Sequence, residues 1–301
     1  MSLLVKWLES MHVDLKITNK CSRNRNVRST CTFCLELCKY GALEINQQSI
    51  EINQSQCTSC GDCVISCPMS AIEGIAVTRE FEENSLIYKE DYTPTEKELL
   101  IYKKRGLHAI TLNGAPLNDK WKFVLTETNR MLGQLDQRSI EVVQRKNVEK
   151  LSRRDLFTSM QSGGKKLAKS LTPASWKLEA NEWTIVNYYP EYQFYTVELD
   201  KDKCTFCKAC FTFCSQKVFQ LKDTSLQIES NNCVNCTDCV DICLEDAIQI
   251  TPQIKKKVNY QEPIHAKKCL DCGQSFHSLQ AETVKCPVCV NRDPEWLSPY
   301  Q

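Results

Sequence analysis

Cysteines at regular spacing are the residues of this chain whose type and position predict chemistry. Sixteen of the twenty cysteines among its 301 residues fall into runs of related spacing. Two runs read C-x2-C-x2-C-x3-C, one at Cys204, Cys207, Cys210 and Cys214, and the other, 29 positions later, at Cys233, Cys236, Cys239 and Cys243. This is the ligand spacing of a cubane iron–sulfur cluster, in which one loop binds three corners and the fourth ligand comes from elsewhere in the chain.

The same arrangement recurs 176 positions earlier in the chain. Its members are Cys31, Cys34, Cys38, Cys57, Cys60, Cys63 and Cys67. The position equivalent to Cys204 is Arg28, and the nearest cysteine, Cys21, lies seven residues further upstream. We expect Cys21 to supply the missing ligand after an insertion, and a free Cys21 thiol with a three-iron cluster, or with no cluster, is the alternative. Arg23, Arg25 and Arg28 of the insertion would raise the reduction potential, form a docking rim for an acidic partner, or be a solvated loop.

The runs and their hydrophobic framing resemble bacterial dicluster ferredoxins over roughly residues 13–80 and 192–252. Alanine and an aliphatic residue follow the fourth cysteine at one distance, as in Ala71-Ile72 and Ala247-Ile248, and alternating segments at 50–52 and 226–228 predict strands. In such ferredoxins the fourth cysteine of each run ligates the other cluster. The resemblance implies four ligand sets, namely Cys204, Cys207, Cys210 with Cys243; Cys233, Cys236, Cys239 with Cys214; Cys57, Cys60, Cys63 with Cys38; and Cys21, Cys31, Cys34 with Cys67.

A disulfide scaffold is the alternative explanation for so many cysteines. It requires an oxidising compartment and usually a short secreted chain, and a repeated 29-residue register has no cause in disulfide pairing. The N-terminus has no long apolar region typical of a signal peptide. Thiols that bind metal instead predict a reducing compartment, and hence a cytoplasmic protein.

The last four cysteines form two C-x2-C knuckles separated by thirteen residues, at Cys269, Cys272, Cys286 and Cys289. Two such knuckles close a tetrahedral four-sulfur site, so the layout predicts a structural zinc ribbon over residues 262–294 with one Zn. A rubredoxin-type iron is the alternative, because four thiolates accept either metal. We expect His265 and His277, which lie nearby, to be exposed ribbon residues and not ligands.

The elements between the cysteine runs predict a small parallel α/β unit over residues 81–150. The pattern indicates a helix over 95–105, a strand over 108–112, a helix over 118–136 that begins after Asn118, and a strand over 140–143. The unit has no Gly-rich phosphate loop, nucleophile elbow or other catalytic signature, so no catalytic residue is predicted. Its expected role is to space the two modules and bind a partner.

The remaining segments complete the predicted fold class, which is α+β. We expect an N-terminal helix over residues 1–12 and a linker over residues 151–190. Two ferredoxin-like dicluster modules are predicted over residues 13–80 and 191–253. The segment that leads into the second module is rich in aromatic residues, which are Trp176, Trp183, Tyr188, Tyr189, Tyr192, Phe194 and Tyr195. The central α/β unit and the C-terminal zinc ribbon complete the expected domain organisation.

Four [4Fe–4S] clusters without substrate chemistry predict the electron-conduit subunit of a larger cytoplasmic oxidoreductase, whose redox partner is a catalytic subunit. An accessory or maturation factor that binds a client metalloenzyme is the alternative. A radical enzyme is disfavoured, because it uses C-x3-C-x2-C and the run from Cys31 has the reverse order. No apolar run approaches the roughly 18 residues that span a bilayer, and a net charge of +1 argues against a dedicated nucleic-acid binder.

Overall fold

The computed structural model describes residues 15–145, 176–290 and 292. The helix predicted over residues 1–12 and most of the linker predicted over 151–190 lie outside the described residues. The described chain forms two compact units. The first comprises residues 15–24, 32–145 and 176–190, and the second comprises residues 25–31, 191–290 and 292.

Short strands and helices make up the chain up to residue 190. The strands are β1 (Lys16–Ile17), β2 (Leu43–Asn46), β3 (Ser49–Ile52), β4 (Ile72–Glu73), β5 (Phe81–Glu82), β6 (Ser85–Ile87), β7 (Ala109–Leu112) and β8 (Glu141–Gln144). The helices are α1 (Ser22–Arg25), α2 (Phe33–Glu36), α3 (Asp62–Ser66), α4 (Glu96–Lys104) and α5 (Asp119–Gln134), followed by 3-10 turns at Ala180–Trp183 and Ile185–Asn187. None of the described helices, here or further along the chain, is long and apolar enough to cross a membrane.

The second unit continues the pattern of short elements. Its strands are β9 (Tyr192–Leu199), β10 (Phe219–Lys222), β11 (Ser225–Ile228), β12 (Ile248–Lys256), β13 (Tyr260–Pro263), β14 (His265–Lys268) and β15 (Ser275–Ser278). The helices are α6 (Ala209–Phe213), α7 (Asp238–Ile242) and α8 (Pro287–Val290), with a 3-10 turn at Ser230–Asn232. The strands pair β9 with β12, β10 with β11 and β11 with β13, and β14 with β15, all antiparallel.

Three of the cysteine runs share one local geometry, a left-handed residue followed by a single helical turn. The residue before the helix is Gly61, Lys208 or Thr237, with φ of 83°, 65° and 65°. The run closes at the residue that ends the helix, which is the fourth cysteine in each case. Glycine is required at position 61, because a Cβ there would lie 2.7 Å from Cγ2 of Val77. The loop therefore presents its cysteines from a tightly packed turn.

The central part of the first unit is a four-stranded sheet in the order β5-β6-β7-β8. Strands β6, β7 and β8 are parallel, with α4 and α5 as the crossovers. The cap predicted at Asn118 forms, since its side chain accepts a hydrogen bond from the Trp121 amide at 2.9 Å. Strands β5 and β6 extend the predicted helix–strand–helix–strand unit, and they are too short to show an alternating pattern.

Residues 176–190, the last part of the predicted linker, pack within the first unit. Trp176 stacks on Phe81 with ring centroids 4.3 Å apart, and Trp183 is fully buried against Tyr102. The hydroxyl of Tyr189 donates to the Leu100 carbonyl at 2.8 Å. Burying these rings removes a large apolar area from water, which a free linker would leave exposed.

Candidate metal centres

One cysteine set of the first unit lines a single cavity. Its members are Cys38, Cys57, Cys60 and Cys63, and apolar neighbours such as Leu43 and Ile52 complete the wall. Burial, together with the nearby thiols of Cys60, Cys57 and Cys38, raises the pKa of the Cys63 thiol to about 12. The thiol of Cys63 thus lies within electrostatic reach of the three other members of its predicted set.

A second cavity, in the second unit, is lined by another of the predicted sets. It contains Cys204, Cys207, Cys210 and Cys243, with Phe206, Phe211, Leu226 and Ile248 around them. Burial, together with the nearby thiols of Cys204, Cys207 and Cys243, raises the pKa of the Cys210 thiol to about 12. Cys207 is the exposed member of this set.

The remaining cysteines of the second unit form a more deeply buried group. Burial raises the pKa of the Cys239 thiol, and Cys233, Cys236 and Cys214 raise it further. Cys210 contributes a smaller rise to the same thiol, which places the two groups of the second unit beside each other. Cys233, Cys236 and Cys239 are all buried.

The fourth cysteine of every run accepts the same backbone hydrogen bond. An amide four residues further along donates to Sγ in Ala42–Cys38, Ala71–Cys67, Val218–Cys214 and Ala247–Cys243, at 3.3, 3.3, 3.4 and 3.3 Å. An N–H directed at sulfur stabilises the thiolate form, which is the form that binds iron. The donor set and its hydrogen bonds therefore fit thiolate ligation of a metal cluster.

Cys21 occupies a place in the first unit that corresponds to that of Cys204 in the second. The Thr18 amide donates to the Ala71 carbonyl at 2.8 Å, and the Asp200 amide donates to the equivalent Ala247 carbonyl at 2.8 Å. Cys21 follows the first of these bonds by three residues, and Cys204 follows the second by four. Cys21 is buried and is one of the groups that raise the pKa of the Cys67 thiol, a rise caused mainly by burial. Cys34 is also buried.

Arg79 is a buried residue beside the Cys57–Cys63 loop that sequence patterns did not identify. Its guanidinium donates to the Cys60 carbonyl at 3.0 Å, to Asp62 at 2.9 Å and to Glu98 at 2.8 Å. The sequence signal that could have identified Arg79 is an alternating pattern. Val77, Arg79 and Phe81 occupy every second position, and all three are buried. A charged residue at such an inward position indicates a buried ion pair.

Lys97 reaches the same module from helix α4. Its ammonium group donates to the Ile65 carbonyl at 2.6 Å, near the end of the short helix α3. Burial lowers the pKa of Lys97 to about 8. A cation therefore caps the helix that carries Cys63 and leads to Cys67.

The four last cysteines form a compact group at one end of the β14–β15 hairpin. The Sγ atoms of Cys269, Cys272, Cys286 and Cys289 all lie within 4.8 Å of one another, and those of Cys272 and Cys286 are 3.8 Å apart. Backbone amides of Cys272 and Cys286 lower the pKa of Cys269 to about 6. Of the two neighbouring histidines, His277 is exposed and His265 is half-buried, and neither belongs to the group. Within the described residues, no other set of such side chains closes to the distances of a single ion.

Two stretches of the chain match known families of iron–sulfur domains. Residues 28–72 and residues 196–244 each match a family of 4Fe-4S dicluster domains. The second range contains all eight cysteines of its module, whereas the first begins after Cys21. The chain therefore carries two 4Fe–4S dicluster domains.

A short stretch also resembles a curated protein. Over 43 residues the chain is 44% identical to one of the subunits of the ion-translocating oxidoreductase complex of Methanosarcina acetivorans. The match covers 14% of this chain and 16% of that protein. The likeness is therefore confined to a part about the size of one dicluster domain.

Proposed function

We propose that this chain is an electron-transfer protein that holds four [4Fe–4S] clusters and forms the electron-conduit subunit of a cytoplasmic oxidoreductase complex. The observation that carries the proposal is that three of the fourth cysteines lie near the other run of their module. Cys38 lines one cavity with Cys63, Cys243 lines another with Cys210, and Cys214 is one of the groups that raise the pKa of Cys239. Exchange of the fourth ligand between two runs is the property of ferredoxins with two clusters.

Mutual repulsion among the cysteines supports metal ligation. In three sets the other cysteines raise the pKa of one thiol that burial already raises, namely that of Cys63, Cys210 or Cys239. Such a set is costly to ionise without cations between the sulfur atoms, and iron supplies these cations. Each cluster, when bound, accepts and releases one electron. The chain's own residues hold the irons, donate hydrogen bonds to sulfur and exclude water.

The second unit supports a path for electrons between the interior and a partner. Cys233, Cys236 and Cys239 are buried, the set of Cys210 lies beside them, and Cys207 of that set is exposed. An exposed ligand shortens the distance from a cluster to a docked protein. The named relative is a subunit of an oxidoreductase complex, which supports a catalytic oxidoreductase subunit as the partner of this chain.

For the remaining unassigned sites, we propose zinc at Cys269, Cys272, Cys286 and Cys289, and a fourth cluster at Cys21, Cys31, Cys34 and Cys67. Tetrahedral zinc with Zn–S bonds of about 2.3 Å requires sulfur atoms roughly 3.8 Å apart. The separation of Cys272 and Cys286 supports that geometry. The bond pattern shared by Cys21 and Cys204 supports ligation by Cys21.

Anaerobic purification with quantified iron, sulfide and zinc tests the cofactor content. We expect about sixteen irons and about one zinc per chain, from four cubes and one four-sulfur site. Eight irons or fewer would contradict four clusters, and a seventeenth iron in place of zinc would assign the last site to iron.

Electron paramagnetic resonance of alanine variants tests the crossing. Cys38→Ala and Cys63→Ala should alter one and the same signal, although they lie in different runs. Cys67→Ala, the matched control from the run of Cys63, should alter another signal. Loss of the same signal in Cys63→Ala and Cys67→Ala, but not in Cys38→Ala, would contradict crossed ligation.

Turnover with a co-purifying subunit tests the role. A conduit should be reduced and reoxidised by this partner while its iron content stays constant. Transfer of iron to the partner would instead identify a maturation factor.

A further inference from the structure

Two of the four cysteine runs carry an aspartate at the same place, directly before the third cysteine. These are Asp62 before Cys63 and Asp238 before Cys239. The other two runs have the uncharged residues Phe33 and Ala209 at this place. The side chain of Asp238 is fully buried and that of Asp62 is 15% exposed, so each places a negative charge in a poorly solvated position beside cysteine ligands.

Each of these aspartates is paired with an arginine from outside its run. Arg79 lies 2.9 Å from Asp62, and Arg25 lies 3.4 Å from Asp238, with their side chains 7% and 23% exposed. In both cases the same guanidinium also donates to a main-chain carbonyl of the cysteine runs. Arg79 donates to Cys60, and Arg25 donates to Phe213, the residue before Cys214.

For each arginine, the carbonyl that it contacts and the aspartate with which it pairs lie beside the same set of cysteine ligands. Cys60 belongs with Cys63, and Cys214 belongs with Cys239. Further hydrogen bonds hold the segment around Arg25 in this place, because the side-chain amide of Asn26 donates to the Asp238 backbone carbonyl at 3.5 Å. The Thr30 amide and hydroxyl donate to the Asp241 carboxylate at 2.9 and 2.8 Å.

We propose that Arg79 and Arg25 are positioning residues that offset the charges of Asp62 and Asp238 and so set the reduction potentials of two of the four clusters. The inference rests on the proposed electron-transfer function. Adding an electron to a cluster is disfavoured by a nearby carboxylate and favoured by a nearby guanidinium. The charge of either group acts strongly, because burial reduces screening by water and salt.

Redox titration followed by electron paramagnetic resonance tests this inference on the intact chain. Arg79→Gln and Arg25→Gln should each lower the midpoint potential of one cluster, and Asp62→Asn and Asp238→Asn should raise it. A unit charge within about 12 Å at an effective dielectric constant of about 20 changes the equilibrium constant of reduction about tenfold or more. This corresponds to about 59 mV for one electron.

Charge and structure are separated by two further variants. The double variant Arg79→Gln/Asp62→Asn should return close to the parent potential, because it removes opposite charges. Arg130→Gln removes the same charge from an exposed ion pair with Glu127 and should leave all potentials unchanged.

Iron and sulfide content, measured in every sample, distinguishes the two levels of the argument. A parent chain without clusters would contradict the proposed function and this inference with it. With clusters present, single variants that move no potential more than Arg130→Gln does would overturn the inference alone, as would arginine and aspartate variants that shift in the same direction. If an arginine variant loses iron, the inference is tested by Asp62→Asn and Asp238→Asn instead. These variants remove the carboxylate charge while keeping the shape of the side chain.

Discussion

Replacing Arg79 by methionine should destabilise the first unit by about 3–5 kcal/mol, the cost of leaving one partner of a buried ion pair alone. The guanidinium lies 2.8 Å from the carboxylate of Glu98 and 2.9 Å from that of Asp62, and it donates to the Cys60 carbonyl at 3.0 Å. Its central carbon lies 4.1 Å from the centre of the Tyr92 ring. The side chains of Arg79 and Glu98 are 7% and 1% exposed, so neither charge is solvated.

The magnitude is decided by the charge that methionine leaves behind. Hydrogen bonds to charged groups contribute about 1.5–3 kcal/mol each. Adding three such contributions for Arg79 would overestimate the loss, because removing the charged groups from water already costs free energy in the folded protein. The Tyr92 hydroxyl still donates to Glu98 at 2.8 Å, which keeps the expected loss toward the lower end of the range. With a urea dependence of about 2 kcal/mol/M, the unfolding midpoint should fall by about 1.5–2.5 M.

Anaerobic urea unfolding followed by tryptophan fluorescence measures this loss. Trp121, Trp176 and Trp183 are all buried in the first unit, so their emission reports on its unfolding. Arg130→Met is the matched control, and its exposed pair with Glu127 should contribute less than about 1 kcal/mol.

A double variant tests the cause. Arg79→Met/Glu98→Met should regain much of the lost stability, because it also removes the unpaired buried charge. A loss below about 1 kcal/mol for Arg79→Met would refute the reasoning, and so would a double variant whose loss equals the sum of the two single losses.

Three further changes have defined outcomes. Asn118→Ala should cost about 1 kcal/mol in urea unfolding, because it removes the cap on the Trp121 amide, and an unchanged midpoint would contradict that role. Gly61→Ala should cost about 2 kcal/mol or more and lower the iron content, since φ is 83° and the new Cβ meets Val77; full iron loading at parent stability would argue against it. Cys272→Ser should release the zinc proposed for the four-sulfur group and leave the iron content unchanged, and a loss of iron in metal analysis would show that this group belongs to the cluster machinery.

Local signals account for the elements that were predicted correctly. The helices predicted over 95–105 and 118–136 are Glu96–Lys104 and Asp119–Gln134, each with a side-chain cap at its start. Both the caps and the apolar stripe lie within a few turns of one helix, so they can be read without knowledge of the fold. Strands β5 and β6 have two and three residues and show no such signal.

Long-range packing accounts for the elements that were not predicted. The aromatic residues of 176–190 carry no sign of which surface they will cover, and Trp176 is buried by its stacking on Phe81, which is distant in the chain. A pattern rich in aromatic residues indicates burial but does not name the partner surface.

Cysteine spacing alone determined that this chain carries two dicluster domains, because tight loops that wrap a cluster require a short and regular separation of ligands. The crossed sets are what the resemblance to dicluster ferredoxins implies, and in three of them one thiol lies within electrostatic reach of the others. Only the tertiary structure decided which arginines lie beside the aspartates that precede two of those cysteines. Arg79 reaches Asp62, and Arg25 reaches Asp238, which is distant in the chain. Such pairs depend on how separate elements pack, and no local periodicity records that packing.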